Sequence, residues 1–249
     1  MERDYSNEEL MAVLISREVR DGEIAASGAL SMIPAAGLLL ARELHAPNVE
    51  IMILGSPAFM PFKTSRQFHF LAHRGELGLF FVSGVQIDGH GNYNLHMVGE
   101  DQDHPKVRFP GGYGGGMLYY AARRSIIFRT EHSRRAFVEK VDFISAAGTS
   151  PPDTLRYGNP CKVITPLATM HMDLQEGLLK LESYNPPVTV AEVVENTGFD
   201  LGDVSSVQAA PAPTEEELGL LRDAVRRKMI ETDTYPDWAR SHLGNLRIA

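Results

Sequence analysis

The sequence predicts an α/β fold: an open, mainly parallel sheet with helices on both faces. Three observations predict it. Helix-periodic segments alternate with short apolar runs. The helical segments open on capping residues. Several apolar runs end in glycine, as strands that lead into ligand loops do. The 249 residues, 43% hydrophobic, can build one large domain or two small ones. No break in composition divides them, so we expect one domain over 1–249 with a helical tail from about 214.

The elements follow in order. Residues 6–20 read as a helix, with Ser6 as cap and Glu9 completing a capping box. "GEIAASGA" reads as a strand, and "IPAAGLLLARELH" as a helix with Pro34 in its first turn. "NVEIMILG" is the next strand, and "FHFLAHRGELGLFFVSG" is a helix followed by a buried strand. "RRSIIFRTEH" and "KVDFISAAG" read as two strands, with "SRRAFVEKV" between them. "CKVITPLATMHMDL" and "GLLKLESY" read as two more, turning at residues 175–177. "TVAEVVENTGF" is a helix capped by Thr189 with Glu192, stopped at Gly198. "QAAPAP" reads as a linker, and Thr214 with Glu217 opens the last long helix.

Composition excludes several functions. A net charge of −8 disfavours sequence-independent nucleic-acid binding, which needs clustered positive charge. A single cysteine, Cys161, allows no internal disulfide and fits a reducing cytoplasm. The opening "MERDYSNEEL" is unlike a signal peptide, and "GALSMIPAAGLLLA" is too short to span a membrane. A cytoplasmic protein with no membrane partner is therefore expected. No histidine spacing suggests a metal site.

Three loops carry chemistry. The first is "ILGSPAFMPF", residues 53–62; the second is the long polar stretch 83–103. The third is "GGYGGG", five glycines in residues 111–116 with aromatic flanks. Bare backbone there could converge on negative charge, although neither P-loop nor dinucleotide spacing is present. A ligand loop and a plain turn remain equal readings of the glycines alone. In the second loop, Asp88-Gly89 and Gly91-Asn92 signal a hairpin tip. Gln86, Asn92 and Asn94 are amides open to either ligand or structural use.

"GVQIDGHGNYN", then "FPGGYGGGM", then "YNPPVTVAEVVENTGFDL" occur in that order. Together they resemble the β subunits of family I coenzyme A transferases, of the glutaconate CoA-transferase kind. The resemblance runs from about residue 8 to 202. It extends to members of the same fold that open the last steroid rings hydrolytically, and to a decarboxylase. It implies the CoA-transferase fold, a CoA thioester as substrate and no permanently bound cofactor. It also implies an α-subunit partner in an α2β2-type assembly, with the active site shared between subunits. Gly55, Gln86, Asn92, Asn94, Gly111, Gly112, Gly114, Gly115 and Gly116 become the implied substrate-binding residues.

The transferases of this family carry a nucleophilic glutamate after the strand that here reads "VEIMILG". This chain has no glutamate between Glu50 and Glu76; the corresponding place is Gly55 or Ser56. Ser56 is then the best-placed nucleophile, but a serine hydroxyl needs a base. His69, His73, His90, His96 and His104 could supply one only through the fold. The steroid-ring hydrolases also lack this glutamate and carry theirs on the α subunit, so hydrolysis or decarboxylation stands beside transfer. A non-catalytic acyl-CoA-binding subunit is a further alternative. Lys63, Arg66, Lys106 and Arg108 flank the loops and could meet the CoA phosphates, or be ordinary surface.

Overall fold

The computed structural model describes residues 3–244, which form two compact units. Of the described residues, unit one comprises 3–81 and 211–244, and unit two 82–210.

Unit one opens with α1 (Asn7–Ser16), whose Ser6–Glu9 capping box forms as expected. Then come β1 (Ile24–Ser27), α2 (Met32–Leu44), β2 (Glu50–Ile53), α3 (Ser65–His73) and β3 (Leu79–Val82). β1 lies between β2 and β3 and pairs with both in parallel, Ala26 opposite Met52 and Phe80. Such strands are buried on both faces, which is why they read as unbroken apolar runs. α1 and α2 meet at Gly37, where a Cβ would stand 2.5 Å from Ile15 Cγ2, so only glycine permits the approach.

Unit two begins with two small antiparallel pairs: β4 (Gln86–Ile87) with β5 (Tyr93–Asn94), and β6 (Met97–Val98) with β7 (Val107–Arg108). α4 (Gly115–Ala121) leads into β8 (Arg124–Phe128). β9 (Asn159–Ile164) pairs with β8 in parallel. β10 (Ala168–Asp173) and β11 (Leu178–Tyr184) continue antiparallel, and β12 (Gln208–Ala209) returns parallel to β11. α5 (Val190–Glu195) carries the expected Thr189–Glu192 capping box.

Unit one resumes with α6 (Glu215–Leu220), a π-helical turn (Leu221–Val225), α7 (Arg226–Glu231) and α8 (Pro236–His242). Two ion pairs hold these helices to α1. Arg222 Nε reaches the buried Glu9 at 2.8 Å, and Arg17 grips Glu217 with two bonds of 2.7 Å. Burial pushes the Glu9 carboxyl up, but the bonds from Arg222 and the backbone outweigh it and hold its pKa low.

The mainly parallel α/β class is therefore correct, with four corrections in detail. "KVDFISAAG" is not a strand. Its first N–H groups go to side chains, Val141 to Asp88 and Asp142 to Gln86, and its backbone pairing is confined to an isolated bridge at Tyr93, whose carbonyl accepts from Ser145 and Ala146. "CKVITPLATMHMDL" is two strands, because Pro166 lacks an N–H and the Thr165 hydroxyl caps Leu167 and Ala168. α4 is masked in the sequence by the two glycines that open it. The linker "QAAPAP" contributes strand β12.

Candidate functional site

In unit two the polar hairpin forms a frame, and the glycine loop lies against it. Asp88, 2% exposed, accepts N–H bonds from His90 and Asn92 and thereby builds the expected tip. Asn92 spans from the Asp88 carboxylate to the Gly148 N–H. Asn94 is fully buried; its amide donates to Gln86 Oε1 and Met97 O and accepts from His96 N. Gln86 also accepts the Asp142 N–H. The structure thus brings Gln86 and Asn94 together, with their mapped bonds running to each other and to backbone. These bonds set the backbone that presents His96.

Of the five histidines, His96 is placed at the glycine loop. Its Nδ1 lies 2.6 Å from Ser145 Oγ, which also accepts the Leu95 N–H at 2.7 Å. Its ring stacks at a tilt on Phe143, with centroids 5.0 Å apart. Its Nε2 faces Gly111, where a Cβ would stand 3.1 Å away. Ser145 thus holds Nδ1, and Nε2 is the ring nitrogen presented to the loop. His90 and His104 lie exposed, bonded to Gly177 O and Asp101 respectively.

Within the glycine loop, Gly111 and Gly114 have φ of +93° and +84°, and Tyr113 adopts +45°. Gly114 caps α4, and Gly115 N–H bonds back to Gly112 O at 2.6 Å. A Cβ at Gly115 would meet Tyr93 Oη at 3.0 Å, and one at Gly116 would meet Ser145 O at 3.0 Å. A Cβ at Gly112 would make only an ordinary contact with Gly115 N, at 4.0 Å. The glycines therefore serve two ends: reversed backbone and close approach to His96, Tyr93 and Ser145. Tyr93 is fully buried and its hydroxyl has no hydrogen-bond partner among the described residues; burial pushes that phenol's pKa far up. Behind the loop, Arg156 lies over Tyr119 and Tyr120 and donates to Gly158 O. Lys106 and Arg108 are exposed just ahead of the loop.

Unit one holds the other two predicted residues. Gly55, φ +90°, follows β2 and is exposed. Ser56 is 3% exposed, and its Oγ lies 2.6 Å from Thr234 Oγ1. Thr234 Oγ1 lies 3.0 Å from Thr232 Oγ1, which donates to Lys228 O at 2.7 Å. Because Thr232 spends its proton on that carbonyl, Thr234 donates to Thr232 and Ser56 donates to Thr234. The relay ends on a backbone carbonyl, which takes up no proton. Cys161 is half-buried, its thiol 3.4 Å from Ser125 O. Among the described residues no His, Cys, Asp and Glu cluster could hold a metal ion, and no helix is long and apolar enough to cross a membrane.

Residues 61–196, more than half of the chain, match the coenzyme A transferase family. The chain belongs to that family. It is 29% identical to the B-type subunit of glutaconate CoA-transferase from Acidaminococcus fermentans, over 89% of this chain and 93% of that one. The crystal structure of that enzyme superposes with a TM-score of 0.77 at 26% identity, covering 88% of this chain and 94% of the other. The cholesterol ring-cleaving hydrolase IpdB subunit of Mycobacterium tuberculosis is 27% identical, over 89% and 95% of the two chains. The structure of the decarboxylase AibA/AibB matches with a TM-score of 0.74, covering 88% and 94%; at 22% identity it is a likeness of fold. The chain is thus a β-type member of an enzyme family whose relatives include transferase and hydrolase subunits.

The sequence singles out the glycines but not two of their neighbours, Ser145 and Tyr93. Ser145 lies inside a segment of strand-like composition, and Tyr93 looks like an ordinary hairpin aromatic. Thr234 carries no signal at all, because no local pattern links it to Ser56 across 178 residues.

Proposed function

We propose that this chain is the β subunit of a hetero-oligomeric enzyme that acts on an acyl-CoA thioester together with an α subunit. The glycine loop carries the reading. It exposes backbone shaped by Gly111 and Gly114, with Tyr113 also at positive φ, over an imidazole whose second nitrogen is held by Ser145. Such a loop accepts a bulky thioester at close range, and an imidazole held beside it suits a carbonyl oxygen gaining charge. The exposed Lys106 and Arg108 ahead of the loop suit the CoA phosphates.

We further infer that the reaction is hydrolytic or decarboxylating, with the essential carboxylate supplied by the α subunit. No glutamate follows β2, and the Ser56 proton runs to a backbone carbonyl through Thr234 and Thr232. That supports Ser56 as a neutral hydrogen-bonding hydroxyl rather than an activated nucleophile. The test begins with the complex purified from its own cells. Native mass spectrometry should show a second chain of comparable size, and the complex should consume a CoA ester. Borohydride trapping should modify no glutamate of this chain. A complex that binds no CoA ester would sink the reading, and a trapped glutamyl thioester on this chain would restore transfer.

A further inference from the structure

Four non-glycine residues among those described have positive φ: Leu30 (+60°), Tyr113 (+45°), Asp233 (+52°) and Tyr235 (+54°). Backbone of this kind is unfavourable for a side chain and persists only where the surroundings impose it. Tyr113 belongs to the glycine loop. The other three belong to unit one, and hydrogen bonds tie two of them directly together.

Tyr235 Oη accepts the Leu30 N–H at 3.1 Å and donates, at a longer 3.4 Å, to Leu54 O. One phenol therefore bridges the loop after β1 and the loop after β2. Its neighbour Thr234 receives the Ser56 proton at 2.6 Å. Residues 234 and 235 thus grip the carboxyl ends of two parallel strands, the place where open α/β sheets bind ligands. Leu30 itself is 80% exposed. The bond clamps the Leu30 amide and leaves its side chain presented. The gripping segment lies beyond the stretch that matches the family, residues 61–196.

We propose that Thr234 and Tyr235 are positioning residues of the reaction, holding the Ser56 hydroxyl and the loops after β1 and β2 in their working arrangement. The inference rests on the acyl-CoA reading above. Its mechanism is directional. Thr234 fixes where the Ser56 proton points, and Tyr235 fixes the backbone on either side of it.

The test uses the assembled enzyme with its native partner chain. Thr234→Val and Tyr235→Phe should each lower kcat about tenfold or more, as small displacements of a site do, with KM for the CoA ester within about threefold. Thr234→Ser should restore kcat. In Tyr235→Phe, amide exchange of peptides covering residues 28–32 and 54–58 should quicken about tenfold, with β1 and β2 themselves unchanged. Variants that melt lower but keep wild-type kcat when folded would overturn the proposal, as would unchanged exchange in Tyr235→Phe. An active wild type with indifferent variants overturns this proposal alone. A wild type that turns over no CoA ester overturns the acyl-CoA reading, and this proposal with it.

Discussion

The glycine loop of unit two and the segment 232–235 of unit one solve one problem by opposite means. Each holds backbone in the unfavourable positive-φ region. The loop does so by removing side chains: Gly111 and Gly114 carry the reversal, and Gly115 and Gly116 leave room for Tyr93 and Ser145. The segment does so by adding bonds, from Tyr235 Oη to Leu30 and Leu54 and from Thr234 to Ser56 and Thr232. Glycine lowers the conformational cost locally and needs no distant partner. The bonded design tolerates Leu, Asp and Tyr at positive φ, but only while remote elements stay docked. The two should therefore fail differently when perturbed.

The largest effect is expected where that docking depends on a buried charge. Glu9 is 1% exposed and its ion pair with Arg222 joins α1 to the C-terminal helices. Arg222→Ala leaves the carboxylate buried without its cation and should cost about 3–5 kcal/mol, read by urea unfolding. The Ser56–Thr234 region should loosen first in hydrogen exchange. Because the pairing holds the Glu9 pKa low, its contribution is present above the unfolded carboxylate pKa and is lost as the pH falls through the folded one. A loss below about 1 kcal/mol would show that the helices dock by apolar packing alone.

A second break comes from pH and acts on unit two. His132 is buried on Phe137, with Nδ1 2.8 Å from Thr165 Oγ1 and Nε2 3.0 Å from Thr197 Oγ1. Thr197 gives its proton to Val193 O and so accepts from His132 Nε2, while Thr165 Oγ1 is shared between Ala168 O and His132 Nδ1. Burial lowers its pKa from 6.5 to about 4. The unfolded chain then binds a proton that the folded one refuses. Stability is complete above pH 6.5 and declines as the pH falls toward 4, by about 3 kcal/mol in total. Chemical denaturation of wild type and His132→Gln across pH 4–7 checks it; equal slopes would refute it.

How much of this can be read from the residues alone follows the same contrast. Capping boxes at Ser6, Thr189 and Thr214, the buried strands and the glycine loop are written in neighbouring residues, and they are legible. The role of Gln86 and Asn94 stays open in the sequence, because an amide that binds a ligand and one that braces a turn look alike there. "KVDFISAAG" has strand-like composition, yet its first N–H groups go to Asp88 and Gln86, 53 and 56 residues away. The Ser56–Thr234 bond spans 178 residues and leaves no local trace. Backbone solutions are local and legible; side-chain solutions are remote and are not.

The glycine design should break with less loss of stability but a sharper loss of function. At Gly116 a Cβ would press on Ser145 O at 3.0 Å, the residue that orients His96. Gly116→Val should cost about 1–3 kcal/mol by overpacking, yet reduce acyl-CoA turnover of the assembled complex at least tenfold. Turnover near wild type with the complex intact would leave the loop as a turn and nothing more.

The smallest expected effect is the most discriminating. Ser56→Ala removes a neutral hydroxyl whose mapped side-chain bond is to Thr234. Its stability cost should be about 1 kcal/mol, the net value of one hydrogen bond. If Ser56 merely presents a hydroxyl, the variant should lose about tenfold in kcat, in the range of one lost hydrogen bond. If Ser56 is the nucleophile, the covalent step has no substitute and turnover should fall more than about a thousandfold. The relay favours the smaller loss, since a proton directed to Thr234 and on to the Lys228 carbonyl has no base to receive it. Steady-state kinetics of this one variant separate a site whose carboxylate comes from a partner chain from one whose nucleophile is this chain's own serine.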